Sequence, residues 1–403
     1  MGILLRLAAA ATAIFVFMFA GCGSKPAEQP VQIADQPAFS ATQMPPLIGD
    51  QRVVRLKRKL SPDESVPQLV SVDLLPGRGM NVFQITARIP GLGIVNLLQS
   101  PALETARDTM NGGPDDFAGN QSFKMGGALL VPFANRIRGK SIPGTREIET
   151  VVLGKKLKLP ANWQGTKPGA EPHANHGMIL ATGMTSFRTE ADNTHATTVA
   201  VLQAGDFSGR WPSKIELLIT ATLTDSSFGI RIAAKNIGEE ELPLGIGWHP
   251  YFTIPSGNRA QARIVIPARE RLLVDNYDNV FPTGKSERVE GSAYDVGVSS
   301  GLKLGTQYLD DAFVDLSKDD QGRLEIQLID PAARYGLHVL GLSKEINAVQ
   351  VFSPADKNFV AIEPQFNVAD PFSPVWKGRD TGMVKLKPGD SVNYAVELRL
   401  FVP

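Results

Sequence analysis

Cysteine is almost missing from this sequence: one residue in 403, Cys22. No intrachain disulfide can form, so the fold must be held by a buried core, and no cysteine-rich metal framework is available. An excess of charge of one sign is missing too, with Lys+Arg 41 against Asp+Glu 41. An electrostatic grip on nucleic acid normally shows as a basic domain, so small or neutral partners are expected instead. The signature of the common zinc proteases is also lacking: there is no His-Glu-x-x-His, which removes zinc proteases of that type. Gly91-Leu-Gly-Ile-Val-Asn has no third glycine and no surrounding βαβ pattern. Around Asp275, Tyr277 stands where a calcium loop needs an oxygen ligand. Neither a cofactor nor a metal is therefore expected.

Long apolar runs are scarce, and the most prominent one opens the chain. Arg6 precedes an uncharged stretch at 7–20, too short to cross the ~20-residue hydrocarbon span comfortably. This is the layout of an export signal. The stretch ends in Phe19-Ala20-Gly21-Cys22, which resembles the lipobox of bacterial lipoproteins. The resemblance implies cleavage after a signal peptide at 1–21, a lipidated Cys22, and attachment to a membrane of the cell envelope on its periplasmic or extracytoplasmic side. Prolines at 26, 30, 37, 45, 46 and 62 and a polar, aperiodic composition mark 22–66 as a tether. The basic run at 52–59 reads as a solvated strand face.

Beyond the tether, apolar alternation of period two recurs between Gly, Pro, Asn and Asp turns. The stretches are 68–75, 81–87, 197–202, 214–224, 229–236, 263–267, 324–329, 336–340, 348–352 and 391–400. In one of them Ile215, Leu217 and Ile219 share a face and Glu216 and Thr220 take the other. Amphipathic helical patterns are nearly absent, so the expectation is one all-β domain over 67–403, a large antiparallel β-sandwich.

Against this background a few polar residues sit in unusual company. Pro132-Phe-Ala-Asn135-Arg136-Ile137 ends an apolar run with an arginine, and Asn175-His176-Gly177 follows downstream. Gly247-Trp-His249-Pro-Tyr-Phe252 frames one of only five histidines with aromatics. Asp310-Asp311-Ala-Phe313 and Ile362-Glu363-Pro364-Gln365-Phe366 complete the set. Taken singly, His249 reads as a structural histidine bonded to a carbonyl, and Glu363 as a strand carboxylate in an ion pair.

In this order and with these neighbours, the segments resemble the aldose 1-epimerase (galactose mutarotase) family over nearly the whole domain. The resemblance implies a large antiparallel β-sandwich and an isomerase that opens and recloses the ring of an aldose without a cofactor. It implies Glu363 as catalytic base and His249 as catalytic acid. Arg136, His176, Asp310 and Asn135 are then the residues that hold the sugar, with Asp311 competing with Asp310 for its place. The partner implied is a small sugar or an oligosaccharide. Two readings stay open beside it. One is a non-catalytic carbohydrate-binding or sensing lipoprotein. The other is a mutarotase-like enzyme on an oligosaccharide or a phosphorylated sugar, with Arg138 and Lys140 receiving the anion.

Overall fold

A strand with one face in a core and one in water alternates, and Ile215–Leu223 does so along its whole length: Ile215, Leu217, Ile219, Ala221 and Leu223 are buried while the residues between them are not. Such strands build the smaller of the two large antiparallel sheets. The computed structural model describes residues 45–192, 194–297 and 301–403. The expected signal peptide and Cys22 lie outside the described residues, among which no helix is long and apolar enough to cross a membrane.

The smaller sheet has nine strands, in the spatial order Ser186–Ala191, Ala196–Gly205, Ile215–Leu223, Ser227–Asn236, Ser391–Phe401, Tyr335–Gly341, Leu324–Asp330, Arg263–Val265 and Leu302–Lys303. The larger has eleven. Its order runs Pro282–Arg288, Ala268–Val274, Leu309–Leu316, Ala348–Ser353, Phe359–Gln365, Gly247–Thr253, Gly127–Leu130, Asn81–Ile89, Gln68–Leu75 and Val54–Lys57, with Gly93–Asn96 added to Asn81–Ile89. One hydrophobic cluster joins the two sheets, with Ile219, Ile232, Val339 and Leu398 from the smaller and Val72, Ile85, Phe252, Val351 and Ile362 from the larger. The fold is therefore the expected all-β sandwich, and every strand anticipated from alternation is present.

The tether expected over 22–66 does not extend that far into the chain. Ile48, Val53 and Leu56 are buried, and Val54–Lys57 pairs with Gln68–Leu75 as the last strand of the larger sheet. Prolines flank this strand without interrupting it. Its basic side chains are those of a sheet edge, a usual place for charge that discourages further strand pairing, and Arg55 forms an ion pair with Asp73.

The strand Gly247–Thr253 departs from alternation: all but its last residue are buried. Trp248 and Phe252 point into the sandwich core, and the Trp248 indole donates to the Gly127 carbonyl at 3.0 Å. Burying two such aromatics contributes roughly 1.5–3 kcal/mol apiece. The opposite face carries His249 and Tyr251, and connections between strands cover it, which explains why both faces are dry.

Candidate active site

Strand register sets the site. Across the larger sheet, Ala128 lies opposite His249, and Glu363 lies opposite Gln350, which lies opposite Ala312. Between the two central strands the register is Gly247 with Gln365 and Tyr251 with Ala361, which brings residues 249 and 363 to the same level. No ladder pair forms between those two points. Pro250 and Pro364 lie in the gap, and proline cannot donate to a ladder, so the sheet opens where the two side chains meet. His249 Nε2 is 3.2 Å from Glu363 Oε1, with side chains 5% and 1% exposed. The second Glu363 oxygen accepts from Gln365 Nε2 at 3.1 Å.

The segment after the cis peptide Val131–Pro132 supplies the opposite wall. Arg136–Ile137 pairs with Ala174–Asn175, so Arg136 and His176 arrive together. Asn135 and His176 both have positive φ, near 62° and 61°, a conformation asparagine and histidine adopt more readily than most residues. The His176 amide donates to the Asn135 carbonyl at 2.8 Å. Gly177 follows with φ of 79°, and a Cβ there would stand 2.2 Å from the Val131 carbonyl oxygen. Only glycine fits, and the paired left-handed residues turn the His176 ring onto His249, with ring centres 4.8 Å apart at 85°. Phe123 caps the pair at 4.9 Å from His176.

Four side chains close a hydrogen-bonded ring beside this pair. Arg136 Nη2 donates to Asp310 Oδ2 at 3.1 Å, Gln350 Nε2 to Asp310 Oδ1 at 2.7 Å, Asn135 Nδ2 to Gln350 Oε1 at 2.9 Å, and Arg136 Nη1 to Asn135 Oδ1 at 2.8 Å. All four are buried. Each member fixes its neighbours, so the guanidinium and carboxylate present one rigid polar edge to the cavity.

Burial sets the electrostatics. Desolvation pushes the Glu363 carboxyl well above the usual range, reinforced by the Asp310 charge and opposed by Arg136 and Gln365. It pushes the His249 imidazole down to about 3, with Arg136 adding to the effect, and depresses His176 well below its ordinary value. Asp310 is raised by burial against the pull of Arg136 and Gln350. Burial therefore favours a neutral imidazole and a protonated carboxyl over separated charges in the Glu363–His249 pair.

The cavity above these groups measures about 430 Å³ and is lined by Arg136, His176, His249, Asp310, Gln350 and Glu363 at its floor. A larger hollow of about 600 Å³ lies by the strands Arg263–Val265 and Leu324–Asp330 and contains none of these residues. The chemistry is in the smaller one.

A family model described as aldose 1-epimerase matches residues 93–399. The chain belongs to the aldose 1-epimerase family. Solved aldose epimerase relatives share the fold at low identity. A galactose mutarotase-like protein from Clostridium acetobutylicum is 18% identical, with a TM-score of 0.65 over 83% of this chain and 93% of that one. An aldose epimerase homologue from C. elegans is 16% identical, with a TM-score of 0.61 over 87% and 98%. A galactose 1-epimerase from Lactobacillus acidophilus is 16% identical, with a TM-score of 0.57 over 87% and 98%. No curated protein sequence matches.

The structure brings Glu363, His249, Arg136, His176 and Asp310 into one cavity, with Asn135 bonded directly beneath. The adjoining aspartates separate cleanly. Asp310 faces the cavity, while Asp311 binds Arg271 at 2.6 Å and Tyr277 at 2.9 Å and accepts the Asp310 amide at 3.1 Å. Arg138, considered for an anion, is held by Glu171 at 3.1 Å and stacks on Phe281 at 4.1 Å, and neither it nor Lys140 lines the cavity. Gln350 escaped the sequence reading, although a lone amide inside the apolar run Ala348–Ser353 is its signal. Tyr251, two residues after His249 on the same strand, also faces the cavity.

His176, His249 and Glu363 also offer ligand atoms within 4.8 Å of one another. Two imidazoles and a carboxylate are a donor set that zinc accepts. The same nitrogens and oxygen cannot serve a metal and exchange protons with a sugar at once.

Proposed function

We propose that the protein is an aldose 1-epimerase that interconverts the α and β anomers of an aldose by general acid–base ring opening. One observation carries this reading: a buried imidazole and carboxyl lie in direct contact, 3.2 Å apart, at the floor of a polar cavity. A hemiacetal needs both ends of such a pair.

The Glu363 carboxylate takes the proton from the anomeric O1. As the C1–O5 bond breaks, O5 takes the proton of His249 Nε2, and the C1–O1 bond becomes double. The products are an open-chain aldehyde, a protonated Glu363 and a neutral His249, the charge state that burial favours. Rotation about C1–C2 presents the other carbonyl face. Attack by O5 then returns its proton to His249 while Glu363 returns its own to O1. In the resting protein the carboxyl proton crosses the 3.2 Å contact to reach the reactive arrangement. Arg136, Asp310 and His176 hold the ring hydroxyls, and Tyr251 offers a face to the apolar side of the pyranose.

Polarimetry of freshly dissolved α-sugar tests this. Glu363→Gln and His249→Asn should each slow interconversion by about 10²–10⁴-fold. Full activity in both variants would exclude the mechanism.

We also propose, on sequence alone, that the domain is held to the envelope through lipidated Cys22, since two or more acyl chains resist dissociation. Cells expressing the Cys22→Ser form should lose incorporation of labelled fatty acid into the protein. Equal labelling of both forms would refute the anchor.

A further inference from the structure

The cavity continues past the acid–base pair. One row of the sheet carries Tyr251, Ala361, Phe352 and Asp310 side by side on neighbouring strands, with the small Ala361 between the two rings. From His249 an aromatic track leads outward: Tyr251 at 4.7 Å, then Phe352 at 6.3 Å, Tyr308 at 6.2 Å and Tyr277 at 5.3 Å, each measured from the ring before it. Its outer members are 38% and 37% exposed for Tyr277 and Tyr308, among the few large apolar side chains left open to solvent. Trp163 forms the facing wall, 5.6 Å from Phe123. The track is several rings long, and a single pyranose seated at Glu363 covers only its inner end.

Apart from the Tyr277 hydroxyl, which bonds Asp311, the polar atoms facing this track are unspent. The indoles of Trp211, Trp248 and Trp376 donate to backbone carbonyls. The Trp163 indole and the hydroxyls of Tyr251 and Tyr308 have no partner among the described residues, though all three side chains line the cavity. Faces of aromatic rings next to free donors are what the alternating apolar and hydroxyl surfaces of a sugar require. Charge around the mouth argues for a neutral ligand. Lys357 is paired with Asp356 at 2.9 Å, and the Asp278 carboxylate accepts from the Thr166 and Lys167 amides. Among the described residues that line the cavity, Lys124 is the cation left over, its ammonium 5.8 Å from the Trp163 ring. Among the described residues, no cluster of cations at the cavity is positioned to take a phosphate.

We propose that the substrate is a neutral oligosaccharide with a free reducing end. The reducing-end unit occupies the floor at Glu363 and His249, and the next unit lies between Tyr308 and Trp163. This rests on the epimerase reading for its reaction, and on the rim alone for its specificity.

Anomer exchange measured by NMR on glucose and on the disaccharides cellobiose, maltose and lactose provides the test. At least one disaccharide should exceed glucose in kcat/KM by about tenfold, and Tyr308→Ala and Trp163→Ala should each lower that ratio about three- to tenfold. Both residues are on an open or half-buried rim, and unchanged thermal melts would confirm intact folding. A wild-type ratio of one or less, or a ratio untouched by both substitutions, overturns the proposal. If no sugar is turned over faster than by Glu363→Gln, the acid–base reading fails on its own. Calorimetric binding then decides the subsite: tighter binding of a disaccharide than of glucose, weakened by Tyr308→Ala, supports it, and equal binding overturns it.

Discussion

The buried pair makes an unusual prediction about stability against pH. Between pH 7 and 5 an unfolded chain has its histidine charging near 6.5 and its glutamate still ionised above about 4.5. In the folded protein His249 titrates only near 3 and Glu363 only well above its ordinary value. The two shifts have opposite consequences. A depressed histidine means that the unfolded state binds the extra proton, so folding loses stability as the pH falls below 6.5. A raised carboxyl means that the folded state binds it, so folding gains stability over the same interval. With Glu363 protonated and His249 neutral, the pair binds one proton folded and about one proton unfolded near pH 5.5, and its net contribution changes little. Splitting the pair exposes each half. In Glu363→Gln only the histidine remains; with a slope of about 1.36 kcal/mol per pH unit acting over about one and a half units, this variant should lose about 2 kcal/mol relative to wild type between pH 7 and 5. His249→Asn should move the other way by a similar amount. The size depends on the unfolded values alone so long as the folded imidazole stays neutral above pH 5. His173, pushed down to about 4 by burial, responds alike in all three proteins and cancels in the comparison. Urea unfolding followed by tryptophan fluorescence at the two pH values measures the differences. Parallel pH dependence in wild type and Glu363→Gln would mean that removing Glu363 takes no proton from the folded protein, and the assignment of that proton to Glu363 would fall.

The hydrogen-bonded ring gives a second expectation. Gln350→Ala leaves Asp310 and Asn135 each short of a buried partner, costing about 1–3 kcal/mol of stability, and should raise KM more than it lowers kcat; unchanged sugar affinity would contradict the role of Gln350 in aiming Asp310. Gly177→Ala forces a Cβ to within 2.2 Å of the Val131 carbonyl, and should lower stability by about 1–3 kcal/mol or more while moving His176; an unaltered melting temperature would refute the fit. Zinc should inhibit competitively with sugar through His176, His249 and Glu363, with full recovery on chelation and weaker inhibition in His176→Ala. Non-competitive inhibition would place the metal elsewhere.

The smaller sheet was legible because it obeys the simplest rule. Strands such as Ile215–Leu223 have one wet face, so period-two alternation is printed directly in the sequence. The larger sheet is legible only in part. Strands that lie under the site are dry on both faces, and Gly247–Thr253 shows a mixture of glycine, proline and aromatics with no alternation at all. Composition misled at the start of the domain, where proline-rich flanks hid the edge strand Val54–Lys57. Proline marks where a chain turns, and it says little about whether the residues between two turns are paired.

The site was legible as an inventory and illegible as an arrangement. Five segments spread over more than two hundred residues supply it, and no spacing along the chain reveals that they converge. Parity would have recovered some of it. Residues directly opposite one another in a sheet share a face, and a shift of one position moves a side chain to the other face. Once Glu363 is taken to face the sugar, its partner Gln350 must face it too, and so must Asp310 in the next row, opposite Phe352. Asp311 is opposite Val351, a core residue, and is turned away by the same rule. The choice between adjoining aspartates is thus settled by strand register, a long-range property that pairing creates and that neither residue carries in its own surroundings along the chain.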